Sequence, residues 1–447
     1  MKIELTIKVN YLPGWGVNEG IRELIQNAKD AETEFNAPMS VRVRTTSADS
    51  VGTLVIENEG CTMPYEALLL GHTSKVARGD LIGKFGEGLK LGILALLRAG
   101  HAVKIRNGSE VWVPEITHSE KFNAKVLTFD IQSGRKDENR VQIEISGITP
   151  EQFRDDIRPR FLWLDKDARR KDDTVETSYG TLLLADRYKG KLYVKGIFVE
   201  SKPDLSVGYD FSDCEVDRDR RMVDTYDFRY HTRYIWANAL KSRPDIFGAF
   251  SAMLEASSPE VQSLDSYSAS TLPDTFRDHV VEDFVSKFGK MAVPVSNLAE
   301  SVDLEHFGRV GIVTNAPMRA VLESKMGTLA DVQEELKTEV VKTYSWHELT
   351  DVQKSNLQRS IDRISVSVPV SLETVSVCDF RSPELMGLYS EDKGIRLASK
   401  VVASPVMCLR TLIHEVAHRE GRDGDKSHVE QIERIWSEVF TAEVGIY

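Results

Sequence analysis

Cysteine is scarce in this chain, and the spacing of the few thiols excludes two common roles for them. The 447 residues contain four cysteines, Cys61, Cys214, Cys378 and Cys408. Because no two of them have the close pairing of thiolate zinc sites, cysteine-ligated zinc is excluded. Thiols so far apart also argue against a disulfide framework and favour a reducing compartment. We therefore expect a cytoplasmic protein.

The chain also lacks long apolar runs and an excess of positive charge. No segment approaches the roughly 20 apolar residues that a membrane helix requires, and residues 1–13 lack the apolar core of a signal peptide. The formal net charge of -12 argues against a general attraction to nucleic acid or anionic lipid. The basic-rich stretch 154–171 is interrupted by acids, which favours a solvated face over a nucleic-acid surface.

What is present is the composition of an ordinary globular protein, spread over too many residues for one core. Hydrophobic residues make up 41% and charged residues 28% of the chain. Strand-like and helix-like segments both occur, so the predicted class is α+β. Changes in pattern and a Ser-rich segment after Pro259 divide the chain into three predicted domains, 1–160, 161–270 and 271–447.

A polar stripe lies on a helix predicted over residues 18–34. At helical spacing, Glu23, Asn27 and Asp30 share one face, and apolar residues occupy the other. A carboxylate can orient or deprotonate an attacking water, and an amide oxygen is a hard ligand for Mg²⁺. The alternative interpretation is an ordinary amphipathic helix with a solvated polar face.

The second segment is a predicted strand, TLVIEN, that ends at Asn58. Gly60 and Met63 come directly after it. A polar side chain at a strand end, beside a glycine that permits close approach, can recognise the edge of a base. The alternative interpretation is a simple β-turn.

The third segment is a glycine triplet in front of an apolar helix. Gly83, Gly86 and Gly88 precede a helix predicted to run to about Leu97. Exposed backbone N–H groups and the positive end of a helix dipole hold phosphates well. A glycine triplet on its own also fits tight turns, but its order after the first two segments favours a nucleotide site.

Together the three segments resemble the GHKL superfamily, named for gyrase, the heat-shock chaperone, histidine kinases and MutL. The first family box matches at Glu23, Asn27, Asp30 and Ala31. The second matches at Asn58, Gly60, Thr62 and Met63, and the third at Gly83, Phe85, Gly86 and Gly88. The resemblance implies a Bergerat fold, which is an α/β sandwich, in the first domain.

The resemblance also implies an ATP site with a role for each matched residue. Glu23 would be the general base that activates the hydrolytic water, and Asn27 would coordinate the Mg²⁺ that bridges the phosphates. Asn58 would face the adenine amino group; the family usually has Asp there, and an amide lacks the charge-assisted contact. The other implied nucleotide contacts are Asp30, Gly60, Met63, Thr73, Ser74, Lys75, Gly83, Phe85, Gly86, Gly88 and Leu89, with residues 71–82 as a mobile lid.

The same resemblance favours an ATPase over a kinase. Histidine kinases of the superfamily usually lack an acid at the position of Glu23, and they carry a phosphoacceptor helix for which the residues before Glu23 leave no room. Dimerising GHKL ATPases carry a second, transducer-like α/β domain, so we expect an ATP-dependent homodimer. A basic residue of that domain reaches the γ-phosphate, and the candidates are Lys195, Arg218, Arg220 and Arg221. For any one of these cations, a surface salt bridge with the neighbouring Asp217, Asp219 or Asp224 is the favoured interpretation.

A metal-ligand pattern stands near the end of the chain. His414 and His418 lie at i and i+4 of a predicted helix, so both imidazoles can reach one metal ion, with Glu415 beside them to act on a bound water. This H-E-x-x-H pattern resembles the zincin metallopeptidases and implies a zincin-like α+β domain that binds Zn²⁺. Two histidines on a helix are also often structural.

The sequence leaves the third zinc ligand open. Asp425 and His428 are the first candidates, and Glu430 is a weaker one because Ser427 and Glu430 match a helix capping box. The leading hypothesis is an Mg²⁺-dependent ATPase fused to a zinc metallopeptidase domain that acts on an unidentified protein target. The alternative is an ATP-operated clamp on protein or DNA, in which the metal site is structural.

Overall fold

The computed structural model describes residues 1–45, 51–69, 82, 86–134, 138–165, 170, 172–217, 222, 225–305 and 307–444. The chain divides into two compact units, Met1–Arg243 and Pro244–Tyr447. Strands and helices occur in both units, which confirms the predicted α+β class. Within the described ranges, no helix is both long and apolar enough to cross a membrane. The division into three domains stays a prediction.

Seven strands form the main sheet of the first unit. They are β1 (Lys2–Lys8), β2 (Met39–Arg44), β3 (Thr53–Glu59), β4 (Val103–Asn107), β5 (Glu110–Ser119), β6 (Ala124–Ser133) and β7 (Arg140–Ser146). They pair antiparallel in the order β1-β6-β5-β4-β7-β3-β2. In the central strand β4 every second residue, Val103, Ile105 and Asn107, is buried, as expected for a strand with one face on the core.

The helices α1 (Val17–Phe35) and α2 (Gly88–Arg98) pack on this sheet and against each other. The short α3 (Pro150–Gln152) follows β7 in the chain. Leu24 of α1 and Ile93 of α2 share one apolar core with Ile105 of β4. A Cβ atom added at Gly20 would lie 2.8 Å from the carbonyl oxygen of Gly92, so the two helix backbones touch where both residues are glycine. This contact brings the polar stripe of α1 beside the start of α2.

A second sheet follows in the same unit. Its strands are β8 (Thr174–Thr177), β9 (Gly180–Leu183), β10 (Lys191–Val194), β11 (Ile197–Ser201) and β12 (Gly208–Phe211), followed by helix α4 (Thr225–Ser242). The order is β11-β10-β12-β9-β8, in which only β10 and β12 are parallel. The buried Trp236 of α4 donates from Nε1 to the hydroxyl of Tyr209 at 2.8 Å, which fixes the helix on the sheet.

The second unit begins with helices around a pair of parallel strands. These elements are α5 (Phe247–Ala256), α6 (Ser266–Ser270), α7 (Asp274–Phe288), β13 (Ala292–Val295), α8 (Leu298–Glu305), β14 (Val310–Val313), α9 (Ala316–Met326) and α10 (Leu329–Thr338). Val293, Val295, Leu304 and Leu336 form a small buried core in this part.

A four-stranded sheet and four helices complete the second unit. They are β15 (Val340–Tyr344), α11 (Asp351–Ile364), β16 (Val375–Phe380), β17 (Gly387–Ser390), β18 (Gly394–Ala398), α12 (Ser399–Val402), α13 (Pro405–Ala417) and α14 (Lys426–Val444). The order β15-β16-β18-β17 places β17 at one edge of this sheet. Leu412, Ile413 and Val416 of α13 are fully buried, so the apolar side of the H-E-x-x-H helix faces the core.

Candidate functional site

The carboxylate of Glu23 lies against the first residue of α2. Glu23 is only 8% exposed, and Arg22 Nη2 lies 3.0 Å from its Oε1. A Cβ atom added at Gly88 would lie 2.2 Å from the Oε2 of Glu23, so the present position of this carboxylate requires glycine there. Asn27 follows one turn later on α1. The structure thus places an acid of α1 at the N-terminus of α2, with an amide one turn further along α1.

Asp30 fixes the chain in front of the glycine box. Its side chain is buried, and its Oδ1 accepts a hydrogen bond of 2.7 Å from the backbone N–H of Ile82. In the sequence, Ile82 comes shortly before the predicted phosphate-binding residues Gly86, Gly88 and Leu89. The role of Asp30 visible here is therefore to position backbone near the site.

Asn58 is engaged through its amide group. It is 4% exposed at the end of β3, and its Nδ2 donates to the carbonyl oxygens of Ala28 and Ala37, each at 2.9 Å. Both amide hydrogens are used by these bonds, so Oδ1 is the atom left to accept from an adenine amino group. A carboxylate cannot donate to two carbonyls, so these two bonds give a physical reason for Asn rather than Asp at this position.

The turn after β3 is held from β4. Gly60 has a φ of +90°, a conformation that favours glycine. The buried Asn107 accepts from the backbone N–H of Met63 at 2.7 Å and donates to the carbonyl oxygen of Met63 at 2.8 Å. Asn107 therefore fixes the backbone of Met63 through both its N–H and its carbonyl group. Asn107 lies outside the three sequence segments that resemble the GHKL boxes, so those segments do not predict its role.

Lys90 is a second residue that motif reasoning missed. It is 1% exposed, and its Nζ donates to the carbonyl oxygens of Ala67, Leu69 and Gly86 at 2.9, 2.7 and 2.7 Å. Burial lowers the pKa of this ammonium group. The signal in the sequence is a single cation inside an otherwise apolar helix, GLKLGILALL.

Several predicted contacts fall outside the described residues. These are Thr73, Ser74, Lys75, Gly83 and Phe85 of the nucleotide site and Arg218, Arg220 and Arg221 of the second domain. Lys195 is described: it occupies the turn between β10 and β11 with a φ of +51°, and its backbone N–H donates to Phe211 at 2.9 Å. Its predicted role toward the γ-phosphate stays a prediction.

Three histidines and one aspartate form a compact cluster in the second unit. His414 lies in α13, His418 directly follows the last residue of that helix, and His428 lies in α14. One donor atom from each of these and from Asp423 lies within 4.8 Å of the others. Imidazole nitrogens and a carboxylate oxygen are donors that zinc prefers, so the residues present fit the predicted metal.

The imidazole rings are oriented by their surroundings. The rings of His418 and His428 stack with centroids 4.4 Å apart, and the ring of His414 stands at 88° and 90° to them. His418 Nδ1 lies 3.2 Å from the carbonyl oxygen of Gly421, which leaves Nε2 for a metal, as is usual in metal sites. His428 is 2% exposed, and its Nε2 lies 3.4 Å from the carbonyl oxygen of His414.

The acid in the cluster is Asp423, which the sequence analysis did not single out. Asp425, a predicted ligand, is not part of the cluster; its Oδ2 accepts from the backbone N–H of Arg422 at 2.8 Å and so fixes the turn. The weaker candidate Glu430 is solvent-exposed and lies 3.2 Å from the Nζ of Lys426. The conformation of the turn decides which acid points inward, and a motif cannot specify this.

Glu415 lies beside the cluster and against the edge strand. It is 5% exposed, and burial, with a smaller contribution from the charge of Asp423, raises its pKa to about 7. A backbone hydrogen bond from Tyr389 of β17 opposes this shift. A Cβ atom added at Gly387 would lie 2.7 Å from Glu415 Oε1, so glycine in β17 makes room for the carboxyl group.

Comparison with known proteins yields only distant likeness. The ATPase region of Saccharomyces cerevisiae topoisomerase II is similar to this chain with a TM-score of 0.27 and 13% identity, over 44% of this chain and 69% of that chain. The same region bound to ICRF-187 (dexrazoxane) gives a TM-score of 0.26 at the same identity and coverage. Likeness this low carries no argument about fold or function. No protein-family model and no curated protein matches the chain.

Proposed function

We propose that the first unit binds and hydrolyses ATP. The observation that supports this most is the Glu23 carboxylate lying against Gly88 at the N-terminus of α2. Phosphates bound at that helix end, by the backbone N–H groups of Gly88 and Leu89, would lie next to an acid able to take a proton from water. Asn27, one turn away, is the candidate Mg²⁺ ligand.

Base recognition is proposed at the opposite side of the same site. The Oδ1 of Asn58 would accept from the adenine amino group, and Gly60 and Met63 would border the base. Asn107 supports this assignment because it fixes the Met63 backbone through two hydrogen bonds. An amide acceptor gives up the charge-assisted contact of a carboxylate, so we expect weaker adenine selectivity than an Asp would give.

The test is ATP hydrolysis by the full chain with Mg²⁺, comparing wild type with Glu23→Gln. Loss of a general base lowers hydrolysis by about 10²–10⁴-fold while nucleotide binding remains. Glu32→Gln, an acid-to-amide change on the same helix outside the stripe, is the matched control and keeps wild-type activity. Hydrolysis that survives in Glu23→Gln would remove Glu23 from this role, and absence of nucleotide binding in wild type would refute the site.

We propose for the second unit a zinc-dependent peptide hydrolysis, which is favoured by the geometry around His414, His418 and His428. Bound zinc supplies a Lewis acid that lowers the pKa of water. Glu415 is positioned to accept a proton from water and to return it to a leaving amine, because its carboxyl group is buried beside the histidine cluster. The edge strand β17 beside Glu415 is the proposed binding site of an extended peptide.

Metal content and protease activity test this second proposal. About one zinc per chain is expected in wild type, and its loss is expected in His418→Ala. With a mixed peptide library as substrate, Glu415→Gln retains zinc and loses cleavage, whereas Glu420→Gln, an exposed acid of the adjoining turn, changes neither. Zinc with no cleavage under any nucleotide condition would favour the alternative, an ATP-operated clamp on a protein or DNA with a structural metal site.

Coupling between the two activities is proposed because both motifs share one chain. ATP binding would bring two chains together as a homodimer, with Lys195 or one of the second-domain arginines sensing the γ-phosphate, and would change access to the metal site. Light scattering with a non-hydrolysable ATP analogue measures the oligomeric state, and chelator-driven zinc release measures access. If the analogue changes neither quantity, the coupling is refuted.

A further inference from the structure

The position of Asp423 differs from that of a simple ion-pair partner. Its Oδ1 lies 3.3 Å from His414 Nε2, 3.7 Å from His418 Nε2 and 3.9 Å from His428 Nε2. A carboxylate paired with one imidazolium would approach it to about 2.7–2.9 Å. Instead the oxygen is shared among three nitrogens.

The distances agree with one corner of a metal tetrahedron. With zinc–ligand bonds of about 2.0–2.1 Å, the donors of a tetrahedral site lie about 3.4 Å apart. Three imidazoles and Asp423 would then fill all four positions. A zinc site closed by four protein ligands is structural, whereas a catalytic site keeps one position for water or substrate.

Glu415 contradicts a purely structural interpretation of the closed cluster. It is buried next to the three histidines but outside the donor set, and its Oε2 comes no nearer than 4.0 Å to His418 Nε2. Burying a carboxyl group that ligates nothing costs free energy, and a structural site does not need it. A hydrolytic site needs both this acid and an open position.

The four ligands are not attached equally. His414 lies in α13, His418 directly follows the last residue of that helix, and His428 lies in α14. Their side chains are 42%, 20% and 3% exposed. The side chain of Asp423 is 71% exposed, on the turn between these helices. Asp425 holds that turn by its own bond to Arg422, so rotation of the Asp423 side chain alone would move the carboxylate out of the cluster.

We propose that Asp423 is a displaceable fourth metal ligand that closes the site at rest and opens it by swinging outward. This inference rests on the proposed metal site. In that site, Asp423 would control whether the fourth ligand position is open to another ligand. The ligand that replaces the carboxylate is a small anion or the polarised carbonyl of a substrate.

The experiment uses the full chain with its metal exchanged for Co²⁺, whose visible spectrum reports ligand number, and azide as the probe anion. Asp423→Ala and the size-matched Asp423→Asn are compared with wild type and with the exposed control Glu420→Ala. If Asp423 occupies the position in nine of ten molecules, its removal tightens azide binding by about 10-fold. The Co²⁺ spectrum of the variants without azide changes, and their zinc affinity falls by at least about 10-fold, as loss of even an outer partner does.

Two results overturn the inference and can be told apart. If wild type takes up Co²⁺ but both Asp423 variants keep its spectrum, azide affinity and zinc affinity, Asp423 is not a ligand, although the metal site stands. If wild type takes up no Co²⁺ or zinc, the metal site itself is refuted and the inference with it.

Discussion

Lys90 gives the sharpest test of how the candidate nucleotide site is held together. Its buried ammonium group donates to three backbone carbonyls, from Ala67, Leu69 and Gly86. These carbonyls belong to the two chain segments that flank the predicted lid. We consider the substitution Lys90→Met, which keeps the apolar stem of the side chain and removes only the donor group.

The expected cost follows from the contacts. Each hydrogen bond to a charged group contributes about 1.5–3 kcal/mol, so three bonds stabilise the fold by about 5–9 kcal/mol before the cost of burying the ammonium group is subtracted. Burial of the ammonium opposes this by several kcal/mol, in agreement with the lowered pKa of Lys90. We expect a net loss of about 3 kcal/mol, which lowers the unfolding temperature by about 6–12 °C for a unit of this size.

Two measurements separate the local effect from the global one. Calorimetry gives the unfolding temperature, and hydrogen exchange with mass spectrometry reports on residues 86–98. Both should change in Lys90→Met, with faster exchange at the start of α2. Lys104→Met, on the exposed side of β4, is the matched control and should behave as wild type. If Lys90→Met keeps both the wild-type unfolding temperature and the wild-type exchange, the three bonds do not hold these segments together.

Three further perturbations test other contacts. Gly88→Ala puts a methyl group 2.2 Å from Glu23 Oε2. Because alanine favours helices, we expect the protein to stay folded. We expect displacement of the carboxylate to lower ATP hydrolysis by about 100-fold in a steady-state assay. Asn58→Asp replaces two donated bonds by repulsion from two carbonyls, and urea unfolding should detect a loss of about 2–3 kcal/mol. Bonds from Ser345 lower the pKa of Glu348 from 4.5 to about 2, so its stabilising contribution is complete above pH 4.5 and is lost as the pH falls toward 2. Carbon NMR should find that pKa raised toward 4.5 in Ser345→Ala. The reasoning is contradicted if ATP hydrolysis is unchanged in Gly88→Ala, if the free energy of unfolding is unchanged in Asn58→Asp, or if the pKa of Glu348 is unchanged in Ser345→Ala.

Local patterns predicted the elements that carry the candidate sites. The helix predicted over residues 18–34 is observed as Val17–Phe35, and the helix predicted to end near Leu97 runs over Gly88–Arg98. Both predictions rest on spacing within one helix, which the sequence contains directly. The same holds for His414 and His418, whose separation of four residues is enough to put them on one face.

Two of the residues that sequence reasoning missed act across large separations in the chain, and the third depends on the conformation of a turn. Asn107 fixes Met63 from another strand, and Lys90 reaches carbonyls more than twenty residues before it. Asp423 enters the histidine cluster because of the conformation of the turn between two helices, although Asp425 is nearer to His428 in sequence. Such contacts depend on sheet order and turn conformation, so no spacing rule finds them.

Asn58 shows how a departure from a family pattern can be explained by packing instead of function. The GHKL pattern has Asp at the position of Asn58, so by that pattern alone Asn58 would be a weakened adenine contact. In the structure its amide joins the carbonyl of Ala28 in α1 to that of Ala37 in the segment after α1, beneath the site. An Asp would restore a charge for the base and remove both of these bonds. The two bonds that hold α1 in place therefore explain the amide at this position, and Oδ1 is the acceptor that remains for the proposed nucleotide.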